Sequence, residues 1–267
     1  MDLFNVFITE TNEQLGAAKQ KWAYNARDAW KDLGTSELVL MKDAAYELGG
    51  SGKAAVNYTC VTDDKSLVSG DEILLYGPDL KELKADSTFA RIAFLGVKEI
   101  SKDEQEAFNT IQNMEFVKYH VFPEGYMMRV SPESNREQVR VSKKAIKRGI
   151  SFKSVGADYI KQYHTNPNIT AVKLIFITDP SVDYKALTER AKKVNEVTKT
   201  MNKILEGLPE DLDCASCSFK PVCDEVEGLK ELHFGKEGMK KMGHKYSSLK
   251  QIPARKRLNG CFRALFN

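Results

Sequence analysis

The run AVKLIFITD, residues 171–179, constrains the fold more than any other stretch of the chain. Nearly every position is apolar, so it reads as a central strand buried on both faces. Further short runs rich in β-branched, leucine and aromatic residues are predicted as strands: ELVLMK (37–42), AAVNYTCVT (54–62), DEILLYG (71–77), FARIAFLGV (89–97) and QVRVS (138–142). Turn signals such as ELGGSGK and YGPD separate them, and the first is expected to close a hairpin. Residues 1–36 are predicted to be mostly helical, with a stop at Gly34. Ser101, three residues ahead of Glu104, has the spacing of a capping box at the head of SKDEQEAFNTIQNMEF. KKAIKRG reads as a basic helix closed by Gly149, and a second short helix lies around GADYIKQYH. Leu187, Ala191, Val194, Val197, Met201, Ile204 and Leu205 mark one face of a long helix ending at Gly207. Helices and strands interleave without a regular βαβ repeat, which gives an α+β fold: a mixed sheet with packed helices. The P-loop pattern is absent, since GGSGK precedes a strand instead of opening a helix.

The chain divides at about residue 207 into an α+β domain, 1–207, and a glycine-dotted, basic segment, 208–267, that holds four of the five cysteines. From Lys230 onward ten basic residues stand against two acidic ones, which leaves thirty basic and thirty-five acidic upstream. A basic end of this kind suits an acidic partner, a phosphate-bearing ligand or the acidic body itself. No apolar run approaches the roughly 20 residues of a membrane helix, and no export signal precedes the first strand. The expectation is therefore a cytoplasmic protein without membrane or nucleic-acid partners. With an odd number of cysteines, a disulfide framework is not expected.

Cys214, Cys217 and Cys223 form C-x2-C-x5-C, with Pro221 stiffening the return of the chain. Two thiolates two residues apart converge on one centre from a single turn, and soft thiolates at this spacing suit an iron–sulfur cluster or zinc. Zinc usually shows a second paired motif, and a redox dithiol a βαβ setting; both are missing here, so the spacing favours iron–sulfur with zinc as the alternative. A fourth ligand is open among Cys261, His233, His244 and an outside group. Cys60, alone on a strand, reads as a small core residue, and His120 and His164 as ordinary histidines.

Beyond the cysteines, YELGG (46–50), YGPDL (76–80), RVSKKAIKRGISFKSVG (140–156) and IFITD (175–179) occur in an order that resembles the middle domain of the acetyl-CoA synthase subunit of the CO dehydrogenase/acetyl-CoA synthase complex. The resemblance spans roughly residues 40–225 and implies an α+β middle domain followed by a domain holding a [4Fe–4S] cubane bridged to two nickel ions. By that resemblance Cys214 and Cys217 match the first two cubane ligands and Cys223 the third. The fourth would fall near 229–232, where this chain has no cysteine. The nickel chelate of the family, Cys-Gly-Cys followed by Phe, corresponds to Asn259, Gly260, Cys261 and Phe262. One thiolate is thus replaced by a carboxamide, and nickel is not expected. Cys261 is then the candidate fourth ligand of a cubane.

Arg140, Lys143, Lys144, Lys147 and Arg148 lie within nine residues. On a helix Lys143 and Lys147 share a face. A solvated helix face is the plain reading; the resemblance implies that they meet the phosphates of coenzyme A. The expectation is a truncated relative of acetyl-CoA synthase: an iron–sulfur protein serving as an accessory, electron-transfer or cluster-binding component of anaerobic one-carbon or corrinoid metabolism. Its expected partners are a corrinoid protein, a methyltransferase or a CO dehydrogenase-like protein. A non-catalytic binding module, and an acyl- or methyl-transferring enzyme with a single metal, are the alternatives. No catalytic residue is singled out.

Overall fold

The computed structural model describes residues 2–33, 38–50, 52–98, 121–131 and 134–206, with Ile111, Met114 and Val117 between them. The elements are α1 (Asp2–Leu15), β1 (Gln20–Ala23), β2 (Ala44–Leu48), β3 (Ala55–Thr62), β4 (Glu72–Tyr76), β5 (Phe89–Val97), β6 (Tyr126–Ser131) and β7 (Arg136–Ser142). After them come α2 (Lys143–Arg148), α3 (Phe152–Tyr163), β8 (Ile169–Ile177) and α4 (Tyr184–Glu206). Met1–Lys102 and Thr110–Lys199 form one unit, described here; the second, Asp103–Asn109 with Thr200–Asn267, lies outside the described residues apart from the end of α4. The capping box at Ser101 and the cysteine segment also fall outside.

The apolar run takes the place its composition demands. As β8 it is the middle strand of a five-stranded mixed sheet ordered β1-β4-β8-β5-β3. It runs parallel to β4 and antiparallel to β5, and β3 lies parallel to β5. β3 and β5 are buried at every position. A second, antiparallel sheet is ordered β2-β7-β6. The α+β class and the mixed sheet are as expected.

Helices cover one face of the large sheet. Thr11 of α1 shares a 2.8 Å hydrogen bond with Tyr58 of β3, and Arg190 of α4 donates to Glu10 and Gln14 of α1. Leu187, Ala191 and Val194 are buried on α4, as the periodicity requires. On the opposite face α3 lays Phe152 against Phe89 and Phe176, and Gly156 approaches so closely that a Cβ there would lie 2.9–3.0 Å from three carbons of Ile73. The small sheet is tied to this same face by one buried ion pair. Arg91 Nε of β5 donates to both carboxylate oxygens of Glu137 on β7 at 2.9 and 2.8 Å, and Nη2 donates at 2.6 Å. Both side chains are at most 1% exposed, and the guanidinium stacks 4.8 Å from the centre of the Tyr159 ring. Burial alone would lower the Arg91 pKa; the Glu137 carboxylate reverses this and holds it well above the ordinary value.

Three expectations are corrected. The N-terminal helix stops at Leu15, where Gly16 takes φ +60°, and 20–23 is a short edge strand; its half-exposed QKWA carries too little apolar signal to be told from helix. ELVLMK, in its described residues 38–42, is no strand: the Leu40 carbonyl accepts from Asp43 and Ala44, making a 3-10 turn over Met41–Asp43 ahead of β2. ELGGSGK closes no hairpin, because β2 and β3 belong to different sheets.

Asp158 on α3 faces Asp32 and accepts from the Trp30 backbone. Burial, then the Asp32 charge, pushes its pKa up to about 7. A folded pKa above the unfolded value of about 3.9 means the native state binds the extra proton, so this group withdraws stability as pH rises from about 4 to 7. Asp158→Asn is expected to raise the thermal midpoint by a few degrees at pH 8 and to leave it unchanged at pH 4, read by circular dichroism melts at the two pH values.

Candidate functional site

The four stretches that carry the resemblance meet in space and lock one another. Gly77, at φ +111°, turns the chain at the carboxyl end of β4 so that the Tyr76 carbonyl accepts from both Thr178 and Asp179, while Thr178 Oγ1 donates to Pro78 at 2.7 Å. Asp79 Oδ1 accepts from the backbone of Leu80 and of Phe152, at 2.7 and 2.9 Å, and so fixes the start of α3. Its burial raises its pKa despite those two donors. Tyr46 donates to the Leu80 carbonyl, and Gly49, at φ +66°, accepts from Gln138 Nε2 at 3.1 Å. Thus YELGG, YGPDL, the β7–α3 stretch and IFITD are parts of one joint.

The basic residues sit at the edge of that joint in two different states. Arg140 on β7 pairs with Glu47 at 2.6 Å and donates Nη1 to the Val39 carbonyl at 3.0 Å. Arg148 at the end of α2 pairs with Glu124 at 2.9 Å, donates to the Lys31 carbonyl and stacks 4.7 Å over Trp30. Both arginines therefore brace loops. Lys143, Lys144 and Lys147 are exposed on α2, and Lys143 Nζ donates to the Lys42 carbonyl at 3.0 Å. The helix is defined at both ends: Ser142 Oγ accepts from Ala145, and Gly149 closes it at φ +91°.

A groove of about 610 Å³, not foreseen from sequence, opens at the carboxyl ends of the parallel pair β4 and β8, between Gln14, Lys19, Tyr76, Gly77, Asp179, Ser181 and Asp183. Ligands of open sheets often bind at such ends. Here, however, the carboxylates already serve the backbone. Asp179 accepts from Ser181 N and Oγ, which hold its pKa down, and Asp183 accepts from Ala186 N at the head of α4. It lies just past the end of the β4–β8 ladder, whose last pair is Tyr76 with Ile177.

Cys60 is wholly buried on β3, as expected of a core thiol, and His164 pairs with Asp71 at 2.8 Å. Cys214, Cys217, Cys223 and Cys261 lie outside the described residues. Among the described residues no three His, Cys, Asp or Glu side chains group as metal ligands, and no helix is long and apolar enough to cross a membrane.

A sequence model of the family described as the CO dehydrogenase/acetyl-CoA synthase complex beta subunit, CdhC, matches residues 35–182, more than half of the chain. The chain belongs to that family. The match takes in the whole interlocked joint and all five basic residues, so the CdhC signature in this chain coincides with the contacts that shape its α+β unit. It begins beyond α1, takes in Cys60, and ends at Val182, ahead of Cys214, Cys217, Cys223 and Cys261. CdhC proteins carry metal clusters and work in one-carbon metabolism within the complex that gives the family its name. No curated protein matches the chain.

Proposed function

We propose that this CdhC-family chain is an iron–sulfur component of anaerobic one-carbon or corrinoid metabolism, an accessory to a CO dehydrogenase-like partner. The observation that carries the proposal is the C-x2-C-x5-C motif set some thirty residues beyond a family match to the α+β unit. Cys214, Cys217 and Cys223 would hold a [4Fe–4S] cluster, with Cys261 as fourth thiolate; zinc is the competing metal. When bound, such a cluster supplies one-electron transfer. Nickel is left out of the proposal because Asn259 stands where the chelate needs a thiolate. Coenzyme A binding by Lys143, Lys144 and Lys147 is the second reading, favoured by their exposure; it ranks lower because Arg140 and Arg148 are already paired with carboxylates.

Anaerobic reconstitution with iron and sulfide tests the first reading. The wild-type chain is expected to turn brown and the Cys214→Ser/Cys217→Ser variant to stay colourless, with the circular dichroism melt of the α+β unit unchanged. Equal colour in both would overturn the ligand assignment, and stoichiometric zinc in the purified protein would overturn the cofactor.

A further inference from the structure

Four deeply buried side-chain atoms between the two sheets have no hydrogen-bond partner among the described residues: Asn57 Nδ2, Thr59 Oγ1, Arg91 Nη1 and Tyr126 Oη, in residues at most 2% exposed. Strand alternation puts them on facing surfaces. Tyr58 and Thr62 of β3 bond Thr11 and Asn5 of α1, so Asn57 and Thr59 point to the opposite face of the large sheet, where Arg91 lies beside Asn57 in the β3–β5 ladder. On the small sheet Tyr126 and Met128 stand opposite Val141 and Val139, on the side from which Glu137 reaches Arg91. Tyr159 of α3 joins the two surfaces: its hydroxyl donates to Met128 Sδ at 2.9 Å, and its ring centre lies 4.8 Å from the Arg91 guanidinium. Burial drives the Tyr126 pKa well above the ordinary value, and Tyr159, Glu137 and Arg91 are close enough to act on the same hydroxyl.

Native interiors seldom leave such groups without a partner. The four differ in what they require. Arg91 Nη1 and Asn57 Nδ2 can only donate, whereas the Thr59 and Tyr126 hydroxyls can also accept. Water answers both needs. An anion answers only the first, and Glu137 already neutralises Arg91, so a further negative charge would be buried without a counterion. We infer that internal water binds between the two sheets, accepting from Asn57 and Arg91 and donating to Thr59 and Tyr126. It gives the guanidinium the bond that its salt bridge leaves over, since Nε and Nη2 are taken by Glu137. Internal waters of this kind join two to four polar groups, and four are in place here. The inference is independent of the metal that the cysteines hold.

Two measurements on the full chain test it. A crystal structure that resolves ordered solvent is expected to show water density within hydrogen-bond distance of at least two of the four atoms, and no anomalous peak there after a bromide soak. Anomalous bromide at the site would overturn water in favour of a small anion. The absence of density, or side chains arranged so that the four atoms pair with protein groups, would overturn the site itself. Urea unfolding supplies the second test through the sign of an effect. Removing a buried hydroxyl that has no partner relieves a penalty and stabilises, whereas removing one that holds water takes away a bond and leaves the water's other partners poorly served. Thr59→Val and Tyr126→Phe are therefore each expected to shift the urea midpoint to lower concentration. A midpoint unchanged or raised in both variants would overturn the site. Circular dichroism spectra matching the wild type show that the variants fold, and the crystallographic result stands whether or not they do.

Discussion

Glu137→Gln is expected to destabilise the protein by about 3–5 kcal/mol, the cost of leaving a buried charge without its partner. Arg91 cannot shed its proton, is 1% exposed, and directs three hydrogen bonds at the two oxygens of that carboxylate. A glutamine keeps the shape, offers one acceptor oxygen and removes the charge. Replacing both residues, as Arg91→Met/Glu137→Leu, should recover most of the loss, because apolar residues of similar volume avoid the desolvation that the ion pair must overcome. Urea unfolding of the two variants is the measurement. If the single variant proves neutral, the pair is not what couples the small sheet to the large one.

The second large effect is expected at Gly77. A Cβ there would lie 2.4 Å from the Asp179 nitrogen and 2.6 Å from Thr178 Oγ1, in a residue already at φ +111°. Gly77→Ala must therefore break the double hydrogen bond to the Tyr76 carbonyl as well as strain the backbone, and a loss of about 3–5 kcal/mol follows from the two together. Gly149→Ala separates the contributions. That glycine has φ +91° but nothing within 4 Å of the added carbon, so only strain remains, about 1–2 kcal/mol. Equal losses at the two sites, again by urea unfolding, would show that the crowding between YGPDL and IFITD is not what holds the joint.

The parts of the fold that were legible in sequence are those where one physical rule dominates. An apolar run interrupted only by Lys173 and bounded by turn signals reads as an interior strand, and β8 is one. Ser142 and Gly149 bracket α2 by cap chemistry, and the 3.6-residue spacing from Leu187 to Val194 shows the buried side of α4. The misread parts lack such a rule. Gln20–Ala23 is a four-residue edge strand whose pairing with β4 is settled by tertiary contact, and ELVLMK has the apolar run of a strand but no ladder over its described residues 38–42. YMMRVS, which forms β6, hides its pattern behind flexible methionines. The Arg91–Glu137 pair left a trace that went unused: a lone arginine inside FARIAFLGV, a strand apolar at almost every position, demands a buried carboxylate from elsewhere in the chain. For the candidate site the balance is reversed. The basic run was visible, but the engagement of Arg140 and Arg148 by carboxylates depends on loops distant in sequence, and the groove at β4 and β8 required the strand order.

Mössbauer spectroscopy of the chain reconstituted anaerobically with 57Fe addresses the iron–sulfur assignment most directly. The expected spectrum is that of about four irons per chain, tetrahedrally sulfur-ligated in a [4Fe–4S] cubane, and lost when Cys214, Cys217 and Cys223 are replaced by serine. A spectrum of high-spin iron bound to oxygen and nitrogen, or sulfur-ligated iron that survives loss of those three thiols, would contradict it.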